Sequence, residues 1–182
     1  MLNKIVKTPL SDVFLINHFE AKDKRGIFIK QYSNNFTGNS HLDFVAEESF
    51  TTISKKNVIR GMHCQTGKAS HKKLITCIKG SIIDVIVDIR KDSSQFNKPF
   101  SIKLEDKKQQ SIFIGIGYAH GFLCLEENTI IQYITSKKYK SNLDNGVKWK
   151  SIDFEWPTTN PITSDRDNSL PDINDQEFEF KY

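Results

Sequence analysis

From Lys73 onward the chain is a succession of short apolar runs separated by turn residues, and that rhythm limits its fold more than any other feature. Lys73 to Ile78, Ile82 to Ile89, Phe100 to Leu104, Ser111 to Ile116, Gly121 to Leu125 and Thr129 to Thr135 recur at a spacing of about ten residues. The runs are rich in β-branched and aromatic residues, and Lys79-Gly80-Ser81 reads as a turn between two of them. Such spacing predicts antiparallel strands in a sandwich or barrel. Upstream, Leu10 to Phe19, Ile27 to Tyr32, Phe44 to Ser54 and Val58 to Arg60 extend the pattern. The turns between them are Asp23-Lys24-Arg25-Gly26 and Lys55-Lys56-Asn57. No long helix is signalled, although Ser164 is placed to cap a short one. After Tyr139 the rhythm fades. Ser141 to Gly146 reads as a loop, and Trp149 and Trp156-Pro157 read as anchors spanning the surface.

At 182 residues the chain suits one domain, 1–182, with a sizeable core. The net charge is only +4, and the lysines are scattered rather than gathered into a stripe. That argues against a nucleic-acid partner and leaves room for a small anionic substrate. No run approaches the roughly 20 apolar residues of a membrane helix, so no membrane partner is expected. Met1 to Leu10 has no apolar segment of signal-peptide length. Cys64, Cys77 and Cys124 have no CxxC spacing and read as reduced thiols, so the expected location is cytoplasmic.

Two histidines stand in glycine-containing, apolar surroundings: Arg60-Gly61-Met62-His63-Cys64-Gln65 and Gly117-Tyr118-Ala119-His120-Gly121-Phe122. Either could bind a metal, move protons or sit in the core. A jelly-roll metal site needs His-x-His, then a carboxylate, then a later His. Here Gln65 takes the second histidine's place, and His71-Lys72-Lys73 stands where the carboxylate would follow. His63, His71 and His120 could still make three ligands, but two lysines repel a dication, so no metal is expected. No GxGxxG or GxxxxGK[ST] is present, and no cofactor is expected. Cys64 is not a partner for His63, because adjacent strand residues point to opposite faces. As core residues, either histidine could be satisfied locally, and His120 could simply end a strand.

Asp84 and Asp88 lie inside an apolar run, where an unpaired charge is costly. They face solvent or line a polar cavity. Arg60, His63, Gln65, Lys73, Asp84, His120 and Tyr133 all fall on central strands, and alternation can turn several of them to one interior. That set suits an anionic substrate bearing a carbonyl. Histidine can remove the proton beside the carbonyl, a cation can stabilise the enolate oxygen, and tyrosine can return a proton from the other face.

Further motifs are Asp23-x-Arg25-Gly26-x-Phe28, Lys73-Leu74, Asp84 to Arg90, Tyr133 with Tyr139, Trp156-Pro157 and Ser164-Asp165-Arg166-Asp167. In this order, from about Asp23 to about Asp167, they resemble the dTDP-4-dehydrorhamnose 3,5-epimerases, metal-free enzymes of nucleotide-sugar synthesis. The resemblance implies an all-β fold, a cupin or jelly-roll antiparallel barrel with a few short C-terminal helices. It implies an isomerase whose partner is a nucleotide-diphosphate 4-keto sugar. His63 resembles the general base, Asp167 its carboxylate partner, and Tyr133 the general acid. Lys73 is similar to the lysine at the C4 oxygen. Arg60 and His120 resemble sugar and phosphate contacts, and Tyr139 the aromatic stacked on the base. Asp84 resembles the carboxylate behind the catalytic groups. Arg25 resembles a diphosphate contact near a dimer interface, and the family forms homodimers with exchanged N-terminal strands. Phe28, Lys30, Glu48, Phe50, Gln65, Asp144 and Arg166 complete the implied substrate-binding set.

The chain departs from the family at Lys30, at Glu48-Ser49-Phe50 and at Asp144, where Glu, Gln-Asp-Asn and Glu are usual. These positions surround the nucleotide. A carboxylate at Glu48 suits guanine, whose N1–H and amino group are donors. The chain therefore looks more like the branch acting on GDP-4-keto-heptoses in capsule synthesis than like the branch acting on dTDP-4-keto-6-deoxyhexoses. The expected reaction is epimerisation at C3, and at C5 as well. A C3-only epimerase, a nucleotide-sugar 3,4-ketoisomerase and a non-catalytic sugar-binding cupin are the alternatives.

Overall fold

The structure, a computed structural model, describes residues 3–181. With strands numbered in chain order, one antiparallel sheet runs β1 (Lys4–Lys7), β2 (Val13–Asn17), β10 (Gln110–Ile114), β7 (Lys73–Lys79), β12 (Thr129–Thr135) and β5 (Glu48–Ser54). The facing sheet runs β13 (Asp144–Gly146), β6 (Ile59–Gln65), β11 (Tyr118–Cys124), β8 (Ser81–Asp88) and β9 (Pro99–Glu105). A separate hairpin pairs β3 (Phe19–Asp23) with β4 (Gly26–Lys30). The antiparallel jelly-roll barrel implied by the sequence is the architecture observed.

β8 shows how the sequence builds the layers. Ile82 and Ile86 point into the barrel, where they meet Ile75, Ile112 and Ile131 of the opposite sheet. Val85 and Val87 point outward and are covered by the C-terminal segment through Val147, Trp149, Ile152 and Trp156. With both faces covered, β8 reads as a nearly continuous apolar run rather than an alternating one. Each fully buried isoleucine contributes on the order of 2 kcal/mol. The outer face of the six-stranded sheet is capped by the loop carrying Phe36, Leu42 and Phe44, packed on Ile16, Leu74 and Phe113.

Several expectations need correcting. The run from Leu10 to Phe19 is not one strand; β2 ends at Asn17 and Phe19 begins the hairpin. β5 starts at Glu48, not Phe44, because Phe44 packs into the capping loop. Trp149 and Trp156 are not surface anchors. They are 6% and 9% exposed and meet edge to face beneath the outer layer of the five-stranded sheet. Both indole N–H groups find acceptors there, Asn168 Oδ1 and the Trp149 carbonyl. Ser141 to Gly146 is a 3-10 turn (Ser141–Leu143) followed by β13, which pairs with Gln65, Cys64 and His63. His120 lies within β11 rather than at a strand end. Ser164 does cap α1 (Asp165–Ser169), its Oγ accepting from the Asp167 N–H at 3.1 Å. Among the described residues no helix is long and apolar enough to cross a membrane.

β6 and β11 touch backbone to backbone at their glycines. A Cβ on Gly121 would lie 2.8 Å from the Arg60 carbonyl oxygen and 3.2 Å from the Gly61 Cα. The register slips at this point, from His120 opposite His63 to Phe122 opposite Arg60. Gly121→Ala is therefore expected to cost about 3 kcal/mol through overpacking, read as a lower thermal midpoint. An unchanged midpoint would show that the two strands can part freely.

Candidate active site

A cavity of about 430 Å³ opens between the two sheets. β6 supplies Arg60, His63 and Gln65, β11 supplies His120, and the opposite sheet supplies Lys73, Glu48, Phe50 and Tyr133. Tyr139, Asp144 and Arg166 form the outer part of the lining. Arg60 and His63 are three residues apart and would face opposite ways on a regular strand. The register slip between them and β11 lets both reach the cavity.

His63 is held from behind. Its Nε2 lies 2.9 Å from Asp167 Oδ1, and the Gly61 N–H donates to Asp167 Oδ2 at 3.0 Å. Burial alone would raise the Asp167 carboxyl. The hydrogen bond and charge of His63, with donors from Gly61 and Ser164, hold it instead at about 2. Asp167 is thus an anion that can only accept, so Nε2 carries the hydrogen and Nδ1 keeps a lone pair. Arg166 Nη1 also lies 2.7 Å from Nε2. One nitrogen cannot donate to Asp167 and accept from Arg166 together, and the carboxylate is the stronger acceptor. Arg166 instead donates to Asp167 Oδ1 at 3.3 Å and to Asp144 Oδ2 at 2.5 Å.

A second pair lies directly across the ladder. His120 Nε2 is 2.7 Å from Asp84 Oδ2, and both side chains are buried. Asp84 thus neither faces solvent nor lines the cavity; it stands behind His120, with Oδ1 unpartnered. Asp88 is likewise buried and accepts from Arg90 and Ser93.

Lys73 is buried and donates to the His63 carbonyl at 3.4 Å. Burial lowers the pKa of its ammonium, and the charges of Asp144 and Asp84 partly restore it. Tyr133 stacks on Phe50 with centroids 4.5 Å apart and planes 10° from parallel. Burial, reinforced by the negative charge of Asp84, pushes its phenol well above the ordinary tyrosine value, so it stays protonated. Burial also lifts the Cys64 thiol to about 12, which removes it as a nucleophile. Among the described residues, no three His, Cys, Asp or Glu side chains form a metal-ligand cluster.

Three sequence candidates lie elsewhere. Arg25, Phe28 and Lys30 sit on the β3–β4 hairpin, outside the cavity of the same chain. Arg25 pairs with Asp23 on that hairpin at 2.7 Å, and Phe28 is 59% exposed. Sequence reasoning weighed His71 only as a metal ligand beside His63 and His120, and missed Thr52 as a cavity residue. A signal existed for Thr52, which follows Phe50 by two along β5; His71 lies in the loop before β7, where no strand period applies.

A polar cavity with a histidine–carboxylate pair in one wall and a protonated phenol in the other can move a proton on and off a carbon acid. Comparisons with known proteins agree with such chemistry. The family model described as dTDP-4-dehydrorhamnose 3,5-epimerase matches residues 7–175. The dTDP-4-dehydrorhamnose 3,5-epimerase of Shigella flexneri is 33% identical over 179 residues, covering 96% of this chain and 95% of that protein. The crystal structure of the Elizabethkingia anophelis enzyme of that name superposes with a TM-score of 0.91 at 29% identity, covering 98% of this chain and all of the other. The Bacillus anthracis enzyme, solved with TDP and PPi bound, gives 0.88 at 32% identity, covering 93% and 99%.

Proposed function

The chain belongs to the dTDP-4-dehydrorhamnose 3,5-epimerase family and is an isomerase, and from that premise we propose that it inverts C3 and C5 of a dTDP-linked 4-keto-6-deoxyhexose. The observation that carries this reading is the placement of His63, backed by Asp167, and Tyr133 in opposite walls of one cavity that also holds Lys73.

Each target carbon neighbours the C4 ketone, so its proton is acidic. His63 Nδ1 removes that proton, and the electron pair moves onto the C4 oxygen as an enolate. The Lys73 ammonium stabilises that oxygen. The Tyr133 hydroxyl then protonates the carbon from the opposite face, and the centre is inverted. Asp167 stabilises the imidazolium that forms. His63 afterwards loses its proton to solvent and Tyr133 regains one, which resets the pair. Arg60, His120 and Arg166 contribute donors to the sugar and diphosphate, Gln65 lines the floor, and Tyr139 offers its exposed ring to the base.

The diphosphate would be completed by a second copy of the chain. The β3–β4 hairpin stands apart from both sheets and exposes Ile27 and Phe28, while β5 is an edge strand. Exchange of N-terminal strands in a homodimer would bring Arg25, Phe28 and Lys30 to the neighbouring cavity.

One observation favours a GDP-linked 4-keto-heptose instead. Glu48 Oε2 accepts from the Tyr139 N–H at 3.0 Å, which leaves Oε1 for the N1–H and amino group of guanine. A single experiment separates the two. The protein is incubated in deuterated water with each 4-keto sugar nucleotide, and the products are read by NMR. Deuterium at C3 and C5 with inversion of the dTDP sugar is expected. Turnover of the GDP sugar alone would move the assignment to the second reading, and no deuterium in either would overturn both.

A further inference from the structure

His71 belongs to neither pair described above, yet it lines the cavity. It sits in the loop that leads into β7, two residues before Lys73. That loop is tightly tied: Ala69 N–H donates to Thr66, Ser70 N–H donates to Gly67, and Lys72 N–H donates to Ser136 Oγ at 2.9 Å. The ring is anchored too. His71 Nδ1 lies 3.2 Å from the Ala69 carbonyl oxygen. A carbonyl only accepts, so Nδ1 bears the hydrogen and Nε2 carries the lone pair. Among the described residues Nε2 makes no hydrogen bond, and it is not one of the sealed, unsatisfied atoms of the core. Burial, aided by the nearby Lys73 ammonium, lowers the ring to about 3, so this lone pair persists at working pH.

Several acceptors around the cavity are already engaged, although Thr52 Oγ1 is not. Glu48 Oε2 takes the Tyr139 N–H, Gln65 Oε1 takes the Lys140 N–H, and Asp144 Oδ2 takes Arg166 and Tyr139. Asp84 and Asp167 each hold a histidine from behind. The His63 lone pair is reserved for the proton in flight. Beside Lys73 itself, two residues along the chain, His71 Nε2 is an uncommitted neutral acceptor facing the cavity.

Resting on the proposed 4-keto-sugar reading, we infer that His71 Nε2 accepts a hydrogen bond from the C3 hydroxyl that flanks the ketone held by Lys73. A sugar hydroxyl beside a carbonyl points its oxygen toward the same cation as the ketone oxygen, and its hydrogen needs a partner. A neutral imidazole meets that need without adding a charge that would offset Lys73. His71 is thus a substrate-binding residue that selects a 4-keto sugar bearing the C3 hydroxyl.

The test uses exchange of the C5 proton in deuterated water, a readout shared by the 3-hydroxy substrate and its 3-deoxy analogue. With the 3-hydroxy substrate, His71→Leu is expected to lower kcat/KM for exchange about tenfold, the worth of one hydrogen bond left unmade. With the 3-deoxy analogue the loss should stay under about twofold, since no bond is there to lose. His71→Gln, whose amide oxygen can accept, should restore most of the activity on the 3-hydroxy substrate. Equal losses on both substrates, or no loss on either, would overturn the inference. Wild-type exchange with the 3-hydroxy substrate is measured alongside: its absence would strike the epimerase reading itself, while its presence with equal variant losses strikes only His71.

Discussion

His63→Asn is expected to lower kcat by about a thousandfold or more and to abolish deuterium uptake at both C3 and C5. Asparagine keeps a polar group facing Asp167 but offers no base to the substrate. Because the substitution leaves Lys73, Arg60 and Arg166 in place, dTDP should still bind within about threefold of wild type. Asp167→Asn should cost about a hundredfold or more by a different route. An amide there can donate to Nε2 and reverse the tautomer, turning the Nδ1 lone pair into an N–H. With the Asp167 carboxyl held at about 2, its charge is constant at any pH where the enzyme works. A depressed carboxyl contributes its stabilisation fully above the unfolded value of about 3.9 and loses it only as pH falls toward the folded value. A fall in kcat on mild acidification would therefore not come from the Asp167 carboxyl. Undiminished exchange in His63→Asn would remove the base assignment.

Much of the barrel is legible in the residues, for a physical reason. β8 and β12 are largely buried, so their apolar content survives as nearly continuous runs, interrupted by Asp84 and by Gln132. What covers the barrel is not legible in the same way. Trp149 and Trp156 follow no strand period, and only the outward Val85 and Val87 of β8 require a cover. β13 carries Asp-Asn-Gly, which has turn chemistry, and it is a strand only because β6 offers it a free edge. The site splits along the same line. Alternation foretold that Lys73 and Tyr133 could share an interior, but it would have sent Arg60 and His63 to opposite faces. The glycine contact between β6 and β11 overrides the period there. The pairing of His63 with Asp167 spans 104 residues of sequence, and no local pattern announces it. It came only with the family resemblance, whereas Thr52 was available from simple two-residue spacing along β5.

Tyr133→Phe should separate removal of the proton from inversion of the carbon. The phenyl ring keeps the stack on Phe50 and the cross-strand pairing of the two residues, so the wall should stay intact. What is lost is the O–H, a donor that burial keeps protonated. His63 can still take a proton from C3 or C5 and exchange it with solvent. It can return a deuteron only to the face it came from. The expected result is a fall of about a hundredfold or more in product formation. Deuterium should still enter recovered substrate, now with retained configuration. KM should move little, because the hydroxyl acts on the enolate rather than on the ground-state sugar. Two results would count against the acid role. Loss of exchange in step with loss of product would mean that Tyr133 helps form the enolate. A raised KM with unchanged kcat would make it a binding residue only. Retained exchange without inversion would place the two proton transfers on opposite walls of the barrel, His63 on the β6 side and Tyr133 on the β12 side.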